Sequence, residues 1–480
     1  MKTEQSSGFC LLVSPVFNPG NNNLLMMVRE QDPPLNLAML AAWVRDKGFD
    51  VGILDCGIQA PTQERFRAYL LTCREEHRHQ KIFVGFYVCT PTAFQCYELA
   101  GIVRELIPDS VILAGGPHAS FMAEEVLTQS PVDFVVVGEG ERTLEEIMSE
   151  KPPQEINGVA FRSPLAPGEV IFTPPRERFT DLDALPIPAY DLLEIHRYRP
   201  PVGAFKRLPS FLVNFSRGCV NYCFFCTKTL GTAHLQKSPL RMLEELRFLN
   251  ERFGIVDFVL VDDTFTAQKS SVLEFCKLLE KSQMNLTWHC YTRVDHVDPE
   301  MLRVMKQAGC HQLMFGIESF DDNILTLIRK GTTVAQGEEA IRMTKDAGIA
   351  VRLSMMVGNI GDSPSSLKRS IRRIRRIKPD YINVLIATPG PGTPFFMWAE
   401  QEARFITKDW AKYTGSTATV RLDSITEKEI YKYYRKFWID FYFHPQTVFK
   451  HLRKLSSRVA WYNFFEAVRR VIRFVFSKSR

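Results

Sequence analysis

The sequence predicts an α/β protein: a doubly wound parallel sheet, then a partial (β/α)6 barrel, then a helical extension. Three observations carry this. Strand-like and amphipathic segments alternate in two separate series, a proline-rich stretch divides the series, and 480 residues exceed one ordinary domain.

The first series covers residues 9–150. FCLLVSP is a short apolar run closed by a turn, hence a strand. Leu37 to Lys47 (LAMLAAWVRDK) has helical spacing and stops at Gly48. VGILDC and IFVGFYV are the next strands, CYELAGIVRELI is helical, and VILAGG and DFVVVG are strands flanking a helix through Glu124 to Leu127. Such alternation implies parallel strands with right-handed crossovers, the Rossmann-like arrangement. Residues 151–208 are rich in proline (PPQ, SPLAPG, TPPR, LPIPAY, RPPVG) and read as a linker with a small hairpin.

The second series, residues 209–400, offers six strands: FLVNFS, DFVLVDD, LTWHCYTR, QLMFGIES, AVRLSMMVG and YINVLIATP. The helices between them include three that end at Gly254, Gly309 and Gly348, the signature of a left-handed cap. Six strand–helix units suit a partial barrel whose working residues lie at strand C-termini. Residues 401–480 read as helical and aromatic-rich, broken by Pro445.

No run of about 18 uncharged apolar residues exists, and too few apolar residues precede Pro15 for a signal peptide, so a cytoplasmic protein is expected. Its eleven cysteines are then free, metal-bound or catalytic rather than disulfide-bonded. Residues 450–480 carry nine Lys/Arg against one Glu, and a second basic run reads KRSIRRIRRIK. Phe465, Val468, Ile472 and Val475 form one stripe beside Arg469, Arg470 and Arg473, which fits either a helix packed on the barrel or peripheral contact with anionic lipid. No nucleic-acid-binding fold accompanies the charge.

Three cysteines crowd into RGCVNYCFFCT: Cys219, Cys223 and Cys226, directly after the first barrel strand. Thiolates this close reach three corners of one iron–sulfur cube. Structural zinc, or a non-catalytic cluster for electron transfer or sensing, asks for four ligands, and the next cysteine is Cys276. Three ligands leave one metal position open for chemistry.

This Cys-x3-Cys-x-aromatic-Cys pattern, with Phe225 as its aromatic, resembles the signature of the radical S-adenosylmethionine (SAM) superfamily. The resemblance implies a 4Fe-4S cluster whose open iron chelates SAM, and cleavage of SAM to a 5′-deoxyadenosyl radical after one electron arrives from a donor such as flavodoxin or ferredoxin. It also implies SAM contacts for later strand ends: Asp262 and Asp263 in VDDTF, Arg293 in YTR, Glu318 and Ser319 in GIES, and Gly358 and Gly361 in VGNIGDS. The last departs from Gly-x-Pro-Gly-Glu at Asn359, Ile360 and Asp362. TPGPGTP (Pro389–Pro394) matches the closing turn.

Residues 9–150 resemble the cobalamin-binding domain fused ahead of radical SAM domains in one large subfamily. PPLNLAMLAAWVRDKGFDVGILD, LAGGPHAS and VDFVVVGEGERTLEEI carry the likeness, and DLDALPIPAYDLL extends it. It implies cobalamin contacts at Gly115, Gly116, His118, Gly138, Glu139 and Gly140. The Asp-x-His-x-x-Gly motif that gives a histidine to cobalt is absent. The implied reaction modifies an unactivated carbon of a small or lipid-like substrate. Methyl transfer is the leading reading and oxidative cyclisation or rearrangement the alternative. No catalytic residue is singled out.

Overall fold

The structure, a computed structural model, describes residues 8–16, 32–198, 200, 203–453, 461, 462, 465 and 469. Residues 33–197, with the strand Gly8–Ser14, form one compact unit, and the described residues from 198 to 453 belong to a second.

In the first unit seven strands form one sheet: β1 (Gly8–Ser14), β2 (Asp50–Asp55), β3 (Lys81–Tyr87), β4 (Val111–Gly115), β5 (Phe134–Val136), β6 (Val159–Arg162) and β7 (Val170–Phe172). Their order is β2-β1-β3-β4-β5-β6-β7, parallel as far as β5. β1 is buried on both faces, which is why it reads as a continuous apolar run rather than an alternating one. Helix α1 (Leu35–Asp46) buries Leu37, Ala38, Ala41 and Val44 along one stripe. Helix α2 (Gln63–Glu76) starts where the Thr62 side chain accepts from Arg65 N–H.

The hairpin read within 151–208 is β6–β7, and it extends the sheet antiparallel to β5. The Arg162 guanidinium donates to the carbonyls of Leu127 (3.0 Å) and Val132 (2.8 Å), fixing the hairpin to the preceding loop. The proline-rich chain beyond it is also tied to this unit. Phe179 N donates to Glu139 (2.8 Å), Ala189 N to Ala38 O (2.8 Å), and Arg45 pairs with Asp191 at 2.7 Å. Proline removes ladder donors, so these scattered bonds replace secondary structure.

In the second unit β8 (Ser210–Val213), β11 (Asp257–Leu260), β12 (Thr287–Thr292), β13 (Cys310–Glu318), β14 (Ala350–Val357) and β15 (Tyr381–Ile386) lie side by side in chain order, all parallel. A short antiparallel pair, β9 (Ser216–Arg217) and β10 (Leu235–Gln236), brackets the cysteine loop. The three expected caps are left-handed: Gly254, Gly309 and Gly348 have φ of +67°, +93° and +72°. At Gly309 a Cβ would stand 2.3 Å from Leu286 O, so no other residue fits.

Polar groups at the strand N-termini close the barrel floor. Asp257 accepts from Ser210 Oγ (2.7 Å) and Lys206 N (3.2 Å), Gln312 donates to Gly203 O (2.8 Å), and Arg352 donates to Gln312 (2.9 Å). The segment 203–207 thereby plugs the bottom, and chemistry is left to the opposite rim.

The basic run lies on the helix Pro364–Ile377. Arg373 pairs with Glu338 at 2.7 Å and Arg375 with Asp440 at 3.1 Å, and Arg369 binds Asp321, so its charge ties neighbouring helices together. Pro445 opens a new helix, Pro445–Arg453, after Glu427–Tyr442 ends. Of the terminal stripe only Phe465 is described, exposed and stacked on Trp461 at 5.4 Å; Val468, Ile472 and Val475 lie outside the described residues. Among the described residues no helix is long and apolar enough to cross a membrane.

Candidate active site

The cysteine loop leaves β8 at its carboxyl end, and the chain's own backbone shapes it. Phe224 N donates to Ile328 O (2.9 Å) and Phe224 O accepts from Phe395 N (3.0 Å), clamping the loop between the segments after β13 and β15. Lys228 donates from Nζ to Cys219 O (2.6 Å) and to Asn221 O, and stands 5.4 Å from the Tyr222 ring centroid. One ammonium thus closes the loop on itself.

Each thiol meets a distinct environment. Cys219 receives Asn221 Nδ2 at 3.4 Å and lies 3.8 Å from Thr264 Oγ1. Burial pushes its thiol up, but the hydrogen bonds from Asn221 and Thr264 and the Lys228 charge outweigh it, and the net direction is down. Burial beside Asp263 and Cys223 holds Cys226 up at about 11. Cys223 is buried, with Arg293 Nη1 at 3.9 Å from its sulfur. Cys219 and Cys223 with N–H and O–H donors at their sulfurs, and two cations beside the loop, suit an anionic cluster bound through sulfur. Among the described residues no three His, Cys, Asp or Glu side chains converge on a single-ion site.

The residues expected at the later strand ends divide into two groups. Asp263 is exposed at the rim, whereas Asp262 points into the barrel, where it accepts from Phe215 N (3.0 Å) and Ser216 Oγ. Burial lifts its carboxyl to about 7. Asp262 therefore braces the root of the cysteine loop. Arg293 is buried beside Cys223, with Asp295 bound bidentate at 3.0 and 2.9 Å.

Glu318 sits at the end of β13 in left-handed backbone (φ +62°), beside a register shift that re-aims the strand. Its carboxylate pairs with Lys330 at 3.1 Å, both side chains buried. Lys330 Nζ also stands 5.9 Å from the Phe225 centroid, so Phe225 and Glu318 share one cation. Gly316 permits this, since a Cβ there would meet Glu318 Oε1 at 2.7 Å and Lys330 Nζ at 2.9 Å. Ser319 is buried next to the pair.

The turn after β14 holds Gly358 and Gly361 at φ +84° and +81°. Asp362 accepts from Gly358 N and Asn359 N (3.0 Å each) and from Ser366 Oγ (3.0 Å), so the departure from the usual glutamate is self-satisfied within the turn. Phe224, Phe225, Ile360 and Trp398 pack against a core of Met356, Ala387, Phe395, Ala399 and Val420, making an apolar wall beside the cysteines.

In the first unit, the ends of β4 and β5 carry the expected glycines. Gly116 and Gly138 adopt φ +103° and +81°. Nothing lies within 4 Å of where a Gly138 Cβ would be, so bare backbone faces open space there. Gly115 and Gly140 flank it, a Gly140 Cβ meeting Leu40 at 3.2 Å. Two of the expected residues are buried. Glu139 accepts from Phe179 N at 2.8 Å. His118 is fully buried, its ring nitrogens 3.3 Å from Tyr97 Oη and 3.3 Å from Thr90 Oγ1.

Sequence reasoning missed Lys228, Lys330, Asn221, Thr264 and Asp295. Lys228 and Asn221 carried a signal by lying within or beside the cysteine motif, and Thr264 by lying in VDDTF.

Comparison with known proteins adds to this geometry. Residues 213–374 match the radical SAM superfamily and residues 25–148 the B12 binding domain. An uncharacterised methyltransferase of Pyrococcus horikoshii is 31% identical over 444 residues, covering 92% of this chain and 94% of its own. The anaerobic magnesium-protoporphyrin IX monomethyl ester cyclase of Rubrivivax gelatinosus is 27% identical, covering 88% and 77%. The fold matches that of TsrM from Kitasatospora setae, a radical SAM methyltransferase solved with cobalamin and a [4Fe-4S] cluster, at TM-score 0.70 and 16% identity over 92% of each chain.

Proposed function

This chain belongs to the radical SAM superfamily, in the branch carrying a B12-binding domain, and on that premise we propose that it is a cobalamin-dependent enzyme methylating an unactivated carbon of a small or lipid-like molecule. One observation carries the reading: three thiols of a single loop, with no fourth cysteine in that loop, stand at the carboxyl rim of the barrel beside an apolar wall.

Cys219, Cys223 and Cys226 would hold a 4Fe-4S cluster. Asp263, Glu318, Ser319 and the turn at Gly358 and Gly361 would receive SAM, and the backbone at Gly115, Gly116 and Gly138 would receive cobalamin. When bound, the cluster with SAM supplies a carbon-centred radical by one-electron chemistry, and cobalamin supplies a methyl carrier. The protein's share is positional. Asn221, Thr264 and Arg293 aim donors at the thiols. Lys330 holds Glu318 at a fixed place on the rim. Phe224, Phe225 and Trp398 keep water from the reacting space.

The likeness to a porphyrin-ester cyclase supports a second outcome on the same scaffold, oxidative cyclisation. We assign the electron to a flavodoxin- or ferredoxin-type donor, and peripheral membrane contact to residues 450–480. Anaerobically reconstituted protein with dithionite, SAM and cobalamin tests the function. With a substrate supplied, methyl transfer gives both 5′-deoxyadenosine and S-adenosylhomocysteine and adds one CH2 to the substrate's mass; deoxyadenosine with a substrate altered but not gaining CH2 selects cyclisation or rearrangement; release of neither nucleoside refutes the enzyme reading.

A further inference from the structure

Arg293 follows β12, on the strand end where a SAM donor is expected, yet its donors are already committed. Nε and Nη2 grip the two oxygens of Asp295 at 3.0 and 2.9 Å, and Nη2 also donates to Lys330 O at 2.9 Å. The bidentate edge that would clasp a free carboxylate is therefore occupied. Nη1 points to the Cys223 sulfur at 3.9 Å, within reach of that large acceptor. Arg293 is only 6% exposed as a residue, which limits screening of the contact by water.

We propose that Arg293 is a positioning residue for the iron–sulfur cluster, acting through Cys223 to set how readily the cluster accepts its electron, rather than a ligand of SAM. This rests on the three cysteines holding a cluster as read above. Reduction adds one electron, supplied by an external donor, and one negative charge, with no bond made or broken in the protein. A fixed cation and an N–H aimed at a cluster thiolate stabilise the more negative state and raise the potential. Asp295 opposes this, because its carboxylate offsets part of the guanidinium charge while holding it in place.

The two residues thus act with opposite sign, which a merely structural role would not produce. Wild type, Arg293→Met, Arg293→Lys and Asp295→Asn are reconstituted anaerobically and assayed for iron and sulfide. Each is then titrated with the reduced-cluster electron paramagnetic resonance signal as readout, with and without SAM. Arg293→Met shifts the midpoint to more negative potential, Asp295→Asn shifts it to more positive potential, and Arg293→Lys recovers part of the first shift. Unchanged midpoints in all three variants overturn the proposal. So does a wild-type midpoint in Arg293→Met together with loss of the SAM-induced spectral change, which would assign Arg293 to SAM. If Arg293→Met holds no iron, Asp295→Asn decides: a raised midpoint supports the proposal and a wild-type one refutes it. Wild-type protein without iron and sulfide refutes instead the cluster reading beneath it.

Discussion

The two sheets of this chain differ in strand order, and that order determines what each builds at its carboxyl edge. In the first, β2-β1-β3-β4-β5 reverses direction between β1 and β3, and a reversal parts the following loops into a crevice. Its candidate surface is backbone: Gly116 and Gly138 in left-handed conformation, with His118 and Glu139 turned inward to bind other protein groups. In the second, six strands follow in chain order, so their ends stand around one rim and side chains from several can meet. There the candidate site is ionic and sulfur-rich: Cys219 with Asn221, Cys223 with Arg293, Glu318 with Lys330. At Gly138 the backbone surface can be altered at low cost to the fold, whereas a network of buried charges cannot.

The largest effect that would test this contrast is at Lys330. Replacing it with Met strands the buried Glu318 carboxylate without its cation, and we expect a loss of about 3–5 kcal/mol in anaerobic denaturant unfolding. A loss below about 1 kcal/mol would show that the rim tolerates change as the glycine surface does.

Asp262 gives a pH-dependent version of the same contrast. Its carboxyl is raised from 3.8 to about 7 by burial, so the native state holds the proton more tightly than the unfolded chain. Its contribution is complete below pH about 4 and is lost as pH rises toward 7, by about 1.4 kcal/mol per pH unit. Asp262→Asn should remove that slope from the unfolding free energy measured between pH 4 and 7. An identical slope in both proteins would place the titrating group elsewhere.

In the first unit two glycines should separate stability from binding. A Cβ at Gly116 would lie 2.8 Å from the Tyr87 ring and 2.9 Å from Val88 O, so Gly116→Ala should cost about 2–3 kcal/mol. Gly138→Ala meets nothing within 4 Å and should cost about 1 kcal/mol, from its positive φ alone, while lowering cobalamin retention in the visible spectrum of the reconstituted protein. Full retention in Gly138→Ala would remove that backbone from the ligand surface.

How much of this was legible in the sequence follows from the range of each interaction. The cysteine loop was legible because its three sulfurs lie within eight residues. The sheets were legible because periodicity is local, and Gly254, Gly309 and Gly348 marked helix ends in advance. The strand ends were found, but not the direction of their side chains. Asp262 and Asp263 are neighbours at the end of β11, and only the fold shows that one faces inward and the other out. The role of Arg293 depends on Cys223, 70 residues away, and that of Glu318 on Lys330 in a loop with no motif. The proline-rich stretch concealed its attachment to the first unit because side-chain and isolated backbone bonds have no period.

The most direct test of the whole account is elemental analysis and SAM turnover of the anaerobically reconstituted chain beside a variant with Cys219, Cys223 and Cys226 all replaced by Ala. Wild type should bind about four iron and four sulfide per chain and release 5′-deoxyadenosine on reduction, as the 4Fe-4S assignment requires, while the variant does neither. Equal iron content and equal nucleoside release in the two proteins would contradict it.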